Sequence, residues 1–142
     1  MAEAPPTAYK LDESRWPLVV ITPTEAVKDA AALDVSYAAF DKFAAKRRPF
    51  VLLLDIRGAA SDPARRKRLS TWTKTKRAWF SECLIATAVV VGSALERGFV
   101  TAALWLVSPV SEIRVFTDRT EAVDWLLKTY EQRHAVRPPP RA

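Results

Sequence analysis

Few side chains in this chain are suited to catalysis. Its 142 residues hold one histidine, His134, and one cysteine, Cys83. A Cys–His or Ser–His pair needs a base held within hydrogen-bond reach of its nucleophile. His134 lies near the carboxyl end of the last helical segment, a poor place from which to serve Cys83 or a serine. Cys83 precedes an apolar run and reads as a small buried hydrophobe. One His, one Cys and no clustered carboxylates make no metal set. Three glycines, Gly58, Gly92 and Gly98, cannot build a phosphate-cradling loop. No catalytic residue, cofactor-binding residue or metal ligand is assigned, and the sequence points away from an enzyme. The one suggestive polar group is Asp55 with Arg57 and Ser61, at the carboxyl end of the strongest strand pattern. Ligands gather beyond such strand ends in open α/β sheets, and a helix amino terminus following there favours anions. The plainer role for Asp55 is to bind loop amides.

Charge offers a second kind of chemistry. The formal net charge is +6. Between 62 and 77 stand Arg65, Arg66, Lys67, Arg68, Lys74, Lys76 and Arg77 against Asp62 alone, so this segment equals the whole net charge. On a helical wheel Leu69, Trp72 and Trp79 or Phe80 share the opposite side. One expectation is an anion-binding face for an acidic protein, nucleic acid or an anionic lipid surface. The other is a solvated face whose long stems cover an aromatic inner stripe.

A third candidate is apolar. Phe99-Val-Thr-Ala-Ala-Leu-Trp-Leu-Val107 is hydrophobic nearly all round. A helix of that kind is buried or sits half in an interface. In a small sheet protein one side of a helix normally meets water, so residues 95–108, with Phe99, Leu104 and Trp105 foremost, are expected to face a protein partner, with a homodimer as the first expectation. Lining for an apolar ligand is the alternative.

The elements that must position these residues follow from hydrophobic period. Tyr9–Asp12 reads as a short strand. Leu18–Thr22 is a β-branched run between Pro17 and Pro23, hence a buried strand. Val35, Ala38, Ala39, Phe40 and Phe43 predict a helix over Asp34–Lys46. Pro49–Ile56 is continuously apolar, as a central parallel strand covered on both faces would be. Ser61-Asp62-Pro63 starts a helix, with Asp62 as N-cap and Pro63 at its first position, running to about Phe80 or Cys83. Leu84–Val91 is a second buried strand. A helix over Ala94–Leu106 and a short strand over Ile113–Phe116 follow. A last helix over Glu121–Gln132, capped by Asp118 or Thr120, turns Ala122, Val123, Trp125, Leu126 and Tyr130 inward. This alternation predicts one α/β domain with a four- to five-stranded, mostly parallel sheet, about four helices and right-handed crossovers.

The strand ending Leu54-Asp55-Ile56-Arg57-Gly58, the basic helix after it, the buried strand and the closing Val115–Leu126 segment with its Ala-x-x-Trp-Leu piece resemble the SpoIIAA-like proteins of the STAS superfamily. The resemblance covers about residues 8–132. It implies a bacterial regulatory binding module with that fold, not an enzyme. Anti-anti-sigma members carry a phosphorylated serine in an Asp-Ser pair at the start of the helix after the central strand. This chain has Ser61-Asp62, the reverse order, so Ser61 is only a candidate phosphosite.

The domain is expected over 8–134, with Ala- and Pro-rich residues 1–7 and Pro-rich residues 135–142 as disordered tails. The amino terminus lacks the pattern of a secretory signal, no apolar run is long enough for a membrane span, and a lone cysteine suits a reducing compartment. A cytoplasmic protein is the expectation.

Overall fold

The computed structural model describes residues 8–24, 30–57, 71, 74–104 and 111–136. Five strands form one sheet in sequence order: β1 (Tyr9–Arg15), β2 (Leu18–Pro23), β3 (Phe50–Asp55), β4 (Leu84–Val90) and β5 (Glu112–Phe116). The four helices of the described residues are α1 (Ala30–Ala44), α2 (Arg77–Cys83), α3 (Ala94–Leu104) and α4 (Arg119–Val136). β1 runs antiparallel to β2, and the remaining pairs are parallel. The expected α/β class, strand number and mostly parallel sheet are those observed.

Strand order decides where the helices go. Each parallel crossover steps one place in the same direction, and right-handed crossovers then place every connecting helix on one face. The packing agrees. Phe43 of α1, Trp79 and Phe80 of α2 and Val100 of α3 join the side chains of Val19, Leu52, Val89 and Val115. Only α4 remains for the other face. There Ala122 and Leu126 pack on Leu18, Val20, Val51, Leu53, Ala88 and Val90. Small residues on β4, Ala86 and Ala88, let α4 lie close to the sheet. β3 and β4 are buried almost throughout because both faces are covered. A register irregularity opposite Phe50–Val51 leaves Leu84 with the Phe50 cluster while Ile85 joins the α4 side.

Several expected boundaries are corrected. β1 reaches Arg15 rather than Asp12, because it pairs along β2 through a bulge where Asp12 accepts hydrogen bonds from the Ser14 amide and hydroxyl. α1 starts at Ala30 rather than Asp34. Its alanines are strong helix formers, and Ala32 and Leu33 pack against Ala8. It ends at Ala44, not Lys46: Arg47 takes a left-handed φ of 47° while its amide bonds to the Ala44 carbonyl, a common way to end a helix. α4 runs from Arg119 to Val136, beyond the expected Glu121–Gln132. Asp118 is its cap, accepting from the Thr120 amide at 2.8 Å. The expected helix start at Ser61–Pro63 lies outside the described residues.

Candidate functional site

Helix α3 turns most of its described side chains to water. Its start is fixed locally: the Ser93 hydroxyl accepts from the Glu96 amide at 3.2 Å, and the Glu96 carboxylate accepts from the Gly92 amide at 2.9 Å. This is close to a capping box. From Ala94 to Ala102 only Val100 and Thr101 are half-buried. Val100 rests on Val89, Val91 and Val115. The opposite side carries Leu95, Gly98, Phe99 and Ala102, spaced i, i+3, i+4 and i+7 and therefore on one stripe. Leu95 is 72% exposed and Phe99 69%. A side-chain carbon added at Gly98 would meet nothing within 4 Å. Of the residues expected to face a partner, Phe99 stands outward, Leu104 closes the helix, and Trp105 lies outside the described residues. Leu95 lies within the stretch 95–108 expected to meet a partner, though it is not among the three side chains singled out there. Its signal was the four-residue spacing to Phe99.

Asp55, at the carboxyl end of β3, is 6% exposed. Arg57 grips it bidentately, Nε to Oδ1 at 2.8 Å and Nη2 to Oδ2 at 2.6 Å, and the Arg57 amide adds a bond to Oδ1 at 3.3 Å. Arg119, the first residue of α4, reaches Oδ2 at 3.2 Å. The Arg57 side-chain hydrogen bonds hold the Asp55 carboxyl below its ordinary range. Burial opposes this, and the Arg57 amide and charge and the Arg119 bond add to the lowering. The same pairing raises Arg57. Asp55 therefore accepts a loop amide, as its plainer reading required, and two guanidiniums besides. A buried carboxylate held ionised in this way lacks the raised pKa of a general acid. A concavity of about 440 Å³ beside it is lined, among the described residues, by Thr22, Pro23, Asp55 and Arg57. That lining sets Pro23 beside the polar Thr22, Asp55 and Arg57. Ser61, the third member of the expected group, lies outside the described residues, and Arg119 was not foreseen.

Of the basic segment, Arg65, Arg66 and Arg68 lie outside the described residues. Lys74 and Arg77 are exposed. Lys76 pairs with Asp41 of α1 at 3.0 Å. Trp79 and Phe80 turn inward onto Phe43 and Phe50, as the aromatic inner stripe predicted. Cys83 is fully buried. Among the described residues no group of three or more His, Cys, Asp or Glu is placed to hold a metal ion, and no helix is long and apolar enough to cross a membrane.

No protein-family model matches the sequence, and no curated protein does. Among solved structures the chain is similar to an uncharacterized protein of the DUF3478 family from Shewanella loihica PV-4, which has a SpoIIAA-like fold. The likeness has a TM-score of 0.55 at 14% identity and covers 89% of this chain and 98% of that one. The fold is SpoIIAA-like. Within it, α3 is an outlying helix with an apolar outer stripe, and the ends of β3 and α4 are joined by the Asp55 clamp.

Proposed function

We propose that this SpoIIAA-like domain is a non-enzymatic regulatory binding module that self-associates through α3. The observation that carries the reading is the outer stripe of α3, where Leu95 and Phe99 stand mostly in water while Val100, on the other side of the helix, packs on the sheet. Scattered exposed apolar residues are ordinary, whereas two large ones adjacent on a single helix face mark a contact surface. The stripe suits a second copy of itself. Bulky Leu95 and Phe99 alternate with small Gly98 and Ala102, so an antiparallel copy sets bulk against notch, as a two-fold interface requires. The stripe carries no charge, so two copies of a chain with net charge +6 can meet there without opposed cations. The clamped state of Asp55 and the burial of Cys83 support a binding role over a catalytic one.

Sedimentation equilibrium over a range of concentrations tests the reading. A reversible dimer is expected, weakened at least tenfold by Leu95→Asp. A chain that stays monomeric at every concentration would sink it.

A further inference from the structure

The fold gathers charge where the last turns of α1 lie beside α2, two helices that both finish at the amino ends of parallel strands. The last turn of α1 and the loop after it supply Lys42, Lys46, Arg47 and Arg48. Lys74, Lys76 and Arg77 lead into α2. The two segments are distant in sequence and joined in space: Lys76 reaches Asp41 at 3.0 Å, and Arg47 reaches Glu82 at 3.5 Å. Lys46 pairs with Glu13 of β1. Among the described residues these seven cations stand with Asp41, Glu82 and Glu13, an excess of four positive charges in a chain whose total is +6.

The floor beneath this face is stiff. Trp16, Phe43, Phe50 and Trp79 pack in tilted, edge-on and stacked contacts with centroids 5.1 to 5.9 Å apart. Arg48 lies over the Trp16 ring at 4.8 Å, which fixes its guanidinium plane.

We infer that this face binds the phosphate backbone of nucleic acid without reading its sequence. The choice rests on what accompanies the charge. A protein partner is usually anchored by large apolar or aromatic side chains at the centre of the contact, and a bilayer surface rewards an apolar wedge. Among the described residues the large exposed hydrophobics are Leu95, Phe99 and Leu127, all on α3 and α4. The described residues of the basic face include none of them. Its ion pairs are exposed and weak, so a denser polyanion can exchange for them. A duplex, with one charge per about 1.7 Å of axis, is such a polyanion, and phosphate contacts position without specifying. This inference is independent of the α3 reading, since it uses different elements.

Fluorescence anisotropy of a short labelled DNA duplex tests it. Binding at about 50 mM salt is expected, falling roughly a hundredfold by about 200 mM, as about four neutralised phosphates require. Affinity is expected to be indifferent to base sequence. Arg47→Glu with Arg48→Glu, and separately Lys74→Glu with Arg77→Glu, should each weaken binding at least tenfold, while Lys128→Glu on α4 leaves it unchanged. Circular dichroism of each variant confirms that it is folded. The inference is overturned by no binding at about 50 mM salt, by binding that ignores salt, by folded charge-reversal variants that bind like the parent, or by binding to phosphatidylserine vesicles with none to the duplex.

Discussion

Helix α4 turns Ala122, Leu126 and Thr129 into the sheet and leaves Glu121, Asp124, Lys128 and Glu131 in water. Helix α3 does nearly the reverse, spending Val100 on the sheet and leaving Leu95 and Phe99 outside. The two also begin differently. α4 starts with an arginine tied to Asp55, 64 residues earlier in the chain. α3 starts with Ser93 and Glu96, whose bonds close within the same turn. The start of one helix is tied to a distant strand end, and the start of the other is tied within its own turn. Covering the apolar stripe of α3, as the proposed self-association does, would add to its stability, because isolated helices of this length are marginal in water.

Leu126→Ala removes a fully buried side chain beneath α4 and should cost about 3 kcal/mol in denaturant unfolding. A cost below about 1 kcal/mol would mean that α4 is not the anchored helix.

Asp55→Ala should cost about 2 kcal/mol, since it removes charged hydrogen bonds from a buried site and frees the start of α4. The pH dependence has a definite sign. The folded pKa of Asp55 is lowered, so its contribution is fully present above the unfolded value of about 3.9. That contribution is lost as pH falls through the lowered folded value. The substituted protein should therefore lose less stability than the parent when acidified from neutral pH to below that range. Equal losses in an acid titration of unfolding would contradict the clamp.

Ser93→Ala should cost about 1 kcal/mol or less, and hydrogen exchange should place the change in α3 alone. A loss of protection spreading into β4 and β5 would show that α3 is better integrated than its burial implies.

Phe99→Asp should have the smallest effect on the unfolding of the dilute chain, within about 0.5 kcal/mol, because it alters an exposed position. In concentrated solution it should abolish the dimer seen by light scattering.

The same contrast governs what could be read from sequence. The strands were legible because burial on both faces leaves a continuous run, as in Val51–Leu54 and Leu84–Val90. The inward side of α4 was legible because Ala122 and Leu126 recur on one stripe against charged neighbours. The side of α3 that would meet water was legible only in part, through Phe99. Val100 and Phe99 are equally apolar as types, and which one faces the sheet is decided by how the helix sits on Val89 and Val115. Arg119 carried no local signal as the partner of Asp55, since only the crossing of β3 and α4 brings them together. The basic face was half visible. The segment around Lys74 and Arg77 was conspicuous, whereas Lys46-Arg47-Arg48 is a short run whose meaning depends on the packing of α1 beside α2.

Under the proposed self-association a second copy covers the outer stripe of α3. The most direct test is hydrogen–deuterium exchange of the native chain, followed by mass spectrometry at a dilute and a concentrated setting. Amides of α3 should slow as concentration rises while those of α4 stay unchanged. Exchange in α3 that is fast and indifferent to concentration would contradict the central claim.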